Sequence, residues 1–257
     1  MFWLSIEPLR ESAMICHRND AIAKRSGRRF HAVLFDLDNT LYDRHAAFAR
    51  WAESYLHQTC GLTNKALCLE ALAQIALLDA GGYGSKKAVL EEVCRLYPSA
   101  DGAESAAEVT ALFYEQFFAQ LALDAEAVEV LAALDAAKMP WGVVTNGLAR
   151  QWRKLEQMGL TERTACLFVS DTFGSKKPDP AIFLAAADCL GTAPKDILFV
   201  GDHPANDILG AQNVGMQTAW LHRGKPWPDD CGHSMPDLTL ASLTDLLPLL
   251  TEMRSSA

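Results

Sequence analysis

The stretch His31-Ala-Val-Leu-Phe-Asp-Leu-Asp-Asn-Thr-Leu-Tyr42 constrains the chain more than any other. Its opening run of Ala, Val, Leu and Phe reads as a strand buried on both faces, as in a parallel sheet covered by helices. The run stops at Asp36, and Asp38 and Thr40 follow at intervals of two. Continued extension would send both carboxylates to one face. Carboxylates that close repel each other, and neither is buried unpaired without large cost. They belong where the strand opens into a loop, beside a cation. In open α/β sheets the carboxyl ends of strands are where ligands bind. Asp and Asn are also ordinary turn residues, so this stretch alone leaves a solvated turn open.

The rest of the chain narrows the choice. From residue 124 onward, strand and helix patterns alternate. Asp124 can cap a helix over Ala125–Lys138, and Trp141–Gly147 is a strand ending in a polar turn. Ala149–Met158 is a helix, and Cys166–Ser170 a strand. Asp179 and Pro180 open a helix over Ala181–Leu190, Ile197–Asp202 is a strand, and Asp207–Val214 a helix closed by Gly215. Thr218–His222 is a further strand and Ser242–Thr251 the last helix. This alternation predicts an α/β, doubly wound parallel sheet, Rossmann-like, with helices on both faces.

Between 45 and 123 no strand pattern occurs. Apolar residues at helical spacing predict about four helices, over Ala46–Cys60, Asn64–Ala80, Lys86–Tyr97 and Ala103–Gln120. The expected division is a core of 30–44 and 124–257 with an all-helical insert at 45–123. Within the insert, Gly81-Gly82-Tyr83-Gly84-Ser85-Lys86-Lys87 joins two helices. It reads either as a surface hinge with solvated lysines or as a basic loop that reaches over a phosphate.

At 257 residues the chain can bury one large core, or one core plus an appendage. Its net charge of −9 argues against nucleic acid and anionic membrane surfaces as partners. Its apolar runs end well short of a membrane span. The seven cysteines are scattered with no Cys-x-x-Cys pair, which points to reduced, mostly buried thiols in a cytoplasmic protein rather than a disulfide framework or zinc site. Residues 1–29 carry six basic against three acidic side chains and do not resemble a signal peptide. They are expected to form a poorly structured leader without a catalytic role, and Met14 is a later candidate start.

A parallel sheet would bring Asp36, Asp38, Thr145, Asn146, the Lys176-Lys177-Pro178 loop, Asp202 and Asp207 to one rim. That set suits phosphoryl transfer. One carboxylate can attack phosphorus, and a second can protonate the leaving alkoxide and then deprotonate water. Carboxylates and a phosphate dianion share a site only with a hard divalent cation such as magnesium, helped by a lysine. Threonine and backbone donors can hold the phosphoryl oxygens.

Asp36-Leu-Asp-Asn-Thr40, Val144-Thr-Asn-Gly147, Lys177-Pro-Asp-Pro-Ala-Ile-Phe183 and Gly201-Asp-His-Pro-Ala-Asn-Asp-Ile-Leu-Gly-Ala211 resemble the four ordered motifs of the haloacid dehalogenase superfamily. The helical insert resembles that superfamily's first class of cap. The resemblance implies Asp36 as nucleophile and metal ligand. It implies Asp38 as general acid/base, with its backbone carbonyl on the metal. Thr145 and Asn146 would bind the phosphoryl group, Lys177 would neutralise it, and Asp202 would ligate Mg2+, with Asp207 as an outer partner. Lys176 and His203 read as a solvated neighbour and a lining residue, and Asn206 as fixing its loop. Arg44 and His45 read as hinge or substrate contacts, and Trp152 and Trp220 as packing. The implied activity is a magnesium-dependent phosphatase acting on a small phosphorylated metabolite through an aspartyl phosphate, in a monomer or homodimer. The motif wording is similar to members acting on nucleoside monophosphates, flavin mononucleotide or acylated sugar-acid phosphates. Two alternatives stand beside it: a 2-haloacid dehalogenase, and an inactive binding or regulatory member. Dehalogenases of this kind lack the second aspartate, so Asp38 and Asp202 favour the phosphatase.

Overall fold

The computed structural model describes residues 29–254 except 83, 103–104 and 232–233. The expected leader lies outside the described residues apart from Arg29. Six strands form one sheet: β1 (Ala32–Phe35), β2 (Trp141–Thr145), β3 (Leu167–Val169), β4 (Ile197–Gly201), β5 (Gln217–Leu221) and β6 (Leu238–Leu240). Every pairing is parallel, in the order β3-β2-β1-β4-β5-β6. The α/β, doubly wound class expected from the sequence is therefore present. β1, β2, β4 and β5 are buried along their whole length, which is why each reads as a continuous apolar run rather than an alternating one. Ala32 and Leu34 pack with Val144, Ile197 and Phe199 against Ile182, Phe183 and Ala186 of the helix Pro180–Cys189.

Two elements differ from expectation. β6 spans three residues and was not foreseen. The residues after β3 form a short helix, Ser170–Phe173, instead of prolonging the strand. The cysteines also depart from expectation. All six in the described region are free, but only Cys68 and Cys166 are buried, and Cys189 is exposed.

Strand order places the site. The sheet runs outward from β1 in both directions, so β1 and β4 are neighbours at the point where the order reverses. Phe35 pairs with Val200 in register, and Asp36 N donates to Val200 O at 2.9 Å. Asp36 and Asp202 thus leave adjacent strands at the switch point, where doubly wound sheets take their ligands.

The chain divides into two compact units. One holds the sheet and takes in Thr40 and the described residues before it, Ala125–Leu148, and the described residues from Cys166 on. The other is helical and consists of Leu41–Asp124, less its undescribed residues, with Ala149–Ala165. The division differs from the expected one at residues 41–44, at Asp124 and at residues 149–165, all of which the sequence pattern gives to the core. Helix Gln151–Gln157 packs on helix Ala106–Ala119. Arg150 sits 4.6 Å from the Tyr114 ring centroid and Arg153 4.8 Å from that of Phe118.

In the helical unit the helices start where a side chain can accept from free amides. Asp43, Asn64, Ser85 and Ser105 each do so, and Ser105 and Glu108 form a reciprocal capping box. Phe48, Trp51, Tyr55, Phe113 and Phe117 stack into an aromatic core. Lys86 is not a solvated loop lysine: it pairs with buried Asp79 and lies 4.3 Å from the Phe48 ring centroid. Asp79 also takes a bidentate pair from Arg44, at 2.7 and 3.0 Å.

Candidate active site

The site lies within the sheet unit, at the carboxyl ends of β1, β2 and β4. Asp36 is the first residue past β1, and both its oxygens are engaged. Oδ1 accepts from Lys177 Nζ at 2.7 Å, and Oδ2 accepts from Thr40 Oγ1 at 3.1 Å. Lys177 Nζ also lies 2.7 Å from Asp207 Oδ1 and donates to Val144 O at 2.7 Å. An ammonium has three protons, and here each has an acceptor.

Lys177 is 2% exposed, whereas its neighbour Lys176 is exposed. Its backbone is pinned by Asn146, whose Nδ2 donates to Lys177 O at 2.8 Å and whose Oδ1 accepts from Lys177 N at 2.8 Å. The Lys177–Pro178 peptide is cis. Asp179 then caps the following helix by accepting from Ala181 N at 2.8 Å. Asn146, which sequence similarity gave to the phosphoryl group, is thus seen holding the lysine. Thr145, the last residue of β2, is buried, and its hydroxyl donates to Asn146 O at 3.4 Å.

Asp202 follows β4, and its carbonyl accepts from Trp220 Nε1 at 2.9 Å. Asp207 is buried, and its Oδ2 accepts from His203 N at 2.9 Å. Gly201, just before Asp202, has to lack a side chain, because a Cβ there would collide with the Asp207 carboxylate. His203 Nδ1 accepts from Asn206 N at 3.1 Å, so this histidine caps the turn Pro204–Leu209. Asp38 is half-buried. Two contributors escaped the sequence reading. Trp220, read as packing, also holds the Asp202 loop, and Arg223 donates from Nε to Asn39 O at 2.7 Å. Trp220 pairs with Gly201 in the β4–β5 register, but no local sequence signal marks either contact.

One carboxylate oxygen from each of Asp36, Asp202 and Asp207 lies within 4.8 Å of the others. Three buried or half-buried carboxylates around one ammonium leave negative charge in excess. Burial drives the Asp36 pKa well above the usual carboxylate range; Lys177 opposes this, and Asp207 and Asp202 reinforce it. Asp202 is pushed up to about 7, first by burial and then by Asp207, with Lys225 and Lys177 opposing and Asp38 adding. Burial works against the Lys177 charge, yet Asp207 and Asp36 outweigh it and hold its pKa above the ordinary lysine value. Oxygen donors with surplus negative charge fit a hard divalent cation of the magnesium kind.

Residues 30–215 match the family model described as haloacid dehalogenase-like hydrolase. The chain belongs to the haloacid dehalogenase-like hydrolases. This hydrolase is 29% identical over 239 residues to the glyceraldehyde 3-phosphate phosphatase of Methanopyrus kandleri, covering 86% of this chain and 97% of the relative. It is 31% identical over 207 residues to the N-acetylmuramic acid 6-phosphate phosphatase of Pseudomonas putida, covering 79% and 87%. Its fold is similar to that of the HAD-hydrolase YfnB from Bacillus subtilis, solved bound to magnesium. The TM-score is 0.66 at 22% identity, over 87% of this chain and 99% of that one.

Proposed function

We propose that this hydrolase is a magnesium-dependent phosphatase that cleaves a small phosphorylated metabolite through an aspartyl phosphate on Asp36. The reaction class, hydrolysis of a phosphoric monoester, follows from its family and its phosphatase relatives. The observation that carries the proposal is the meeting of Asp36, Asp202 and Asp207 around Lys177 at the sheet's switch point. Asp36 and Asp202 would hold the magnesium ion, with the Asp38 carbonyl and Asp207. The bound ion would supply charge neutralisation and polarise the phosphoryl oxygens.

The residues divide the chemistry between them. A carboxylate oxygen of Asp36 attacks phosphorus and the P–O ester bond breaks. The leaving alkoxide takes its proton from Asp38. Asp38, now a carboxylate, removes a proton from water, whose oxygen attacks the phosphorus and releases phosphate. The Asp36 carboxylate is thereby regenerated and Asp38 is again protonated. Lys177 opposes the rise that burial imposes on the Asp36 pKa and offsets charge on the transferring group, and Thr145 offers its hydroxyl to a phosphoryl oxygen. Asn146 acts through its clamp on Lys177 and through its place beside Thr145.

The test is magnesium-dependent release of phosphate from phosphomonoesters. Wild-type protein should turn over, and Asp36→Asn should lose turnover while keeping its melting transition. Retained turnover in that variant would remove Asp36 as nucleophile. Halide release from a 2-haloacid without metal would select the dehalogenase, and neither activity in magnesium-loaded protein would select the inactive member.

A further inference from the structure

We infer that Arg223 is a positioning residue for the general acid/base, acting through the backbone of the turn that carries Asp38. The inference rests on the reading of Asp38 given above. Arg223 lies 184 residues from Asn39 in sequence, yet its Nε donates to Asn39 O at 2.7 Å. Asn39 is the residue between Asp38 and Thr40, it is buried, and its φ of 64° is left-handed. A non-glycine residue in that region is uncommon and persists where its surroundings hold it. Its carbonyl accepts from a guanidinium, and a charged donor is among the strongest partners for it.

The donor is itself held in an unusual backbone. Arg223 has φ 45° and Gly224 φ 80°, two left-handed residues in succession, the geometry of a tight turn. Lys225 N donates to His222 O at 2.9 Å and closes that turn, while His222 N donates to Leu240 O at 3.0 Å and ties it to β6. The segment beyond docks on the same rim. Trp227 packs edge-on against Trp220 at 4.9 Å, and Asp229–Cys231 lies against Pro204–Leu209. Arg223 thus reaches from this closed turn to the residue that directly follows the acid/base. A long exposed side chain has no packing need for such a contact, whereas placing an acid within reach of a leaving oxygen demands tolerances of about an ångström.

The experiment compares kcat/KM for an alkyl phosphate and for p-nitrophenyl phosphate at saturating magnesium. A nitrophenolate leaves without much help from an acid, and an alkoxide does not. Arg223→Ala should keep its melting transition and lower kcat/KM for the alkyl phosphate by about tenfold or more, and for the nitrophenyl ester by clearly less. Arg223→Lys, which keeps a cationic donor, should recover part of the loss. Asp38→Asn should show the same selectivity more strongly. Equal losses on both substrates, no loss on either, or a loss that lysine does not relieve would each overturn the inference. An Asp38→Asn enzyme without the selective loss would instead withdraw the acid/base reading, and is distinguishable because it does not involve Arg223.

Discussion

All three ammonium protons of Lys177 end on oxygens, two of them carboxylates. Removing that charge exposes Asp36 and Asp207 to each other without a cation, in a place where water cannot screen them. Breaking a buried ion pair from one side costs about 3–5 kcal/mol. Lys177→Met should therefore lose stability of that order in chemical denaturation without magnesium, and should lose turnover. Lys176→Met, one position away and exposed, should stay within about 0.5 kcal/mol. Charge alone could not tell these two lysines apart in the sequence; the proline after Lys177 did, by matching a motif. The carboxylates were legible in the same way, because short apolar runs ending in aspartate are local signals. Trp220 and Arg223 were not. Their contacts join residues 18 and 184 positions apart, and nothing in the local wording marks an indole or a guanidinium as the partner of a backbone carbonyl.

Elements were legible where local chemistry decides them. Asp179 and Pro180 announced a helix start, and the buried strands announced themselves by unbroken apolar runs. β6 stayed hidden because three residues, Leu-Thr-Leu, carry too little pattern and depend on β5 for their pairing. Residues 149–165 join the helical unit through partners more than thirty residues away, Tyr114 and Phe118, which periodicity does not reveal. In that unit, Asp79 ends the helix Lys65–Asp79 and binds residues that begin two others, Arg44 and Lys86. Burial alone would raise its pKa, but the Arg44 and Lys86 contacts outweigh this and lower it. Asp79→Ala would leave a buried and a half-buried cation, Arg44 and Lys86, without their shared carboxylate. It should destabilise the protein by about 3–5 kcal/mol in a denaturant titration. Glu92→Ala, which removes a solvent-exposed partner of Arg95, should change the midpoint little. If both variants melted like wild type, the Arg44–Asp79–Lys86 cluster would not be holding these helices together.

Across the whole molecule the charge excess at the site predicts a dependence of stability on pH and, with the proposed cofactor, on magnesium. Asp202 has its pKa pushed from the usual carboxylate range up to about 7, and that of Asp36 is raised as well. Both groups bind protons more tightly in the folded protein than in the unfolded chain. Between the two pKa values the folded state holds more protons, so stability falls as pH rises through that window. Lys177 is raised too, but its contribution is complete below the ordinary lysine pKa and is lost only in strong alkali. The metal-free protein should therefore melt lower at about pH 8 than at about pH 5.5. On the proposed reading a divalent cation would replace the protons and bind the folded state alone, and so would stabilise it by mass action. Its effect must grow with pH, because at low pH it competes with protons for the same oxygens. Melting curves with magnesium and with a chelator, recorded on both sides of neutrality, check the sign. The gain from magnesium should be larger on the alkaline side and should shrink in Asp202→Asn, which removes one of the competing carboxylates. A gain independent of pH, or undiminished in that variant, would mean that the ion binds elsewhere and that the surplus charge at the switch point is met by some other group.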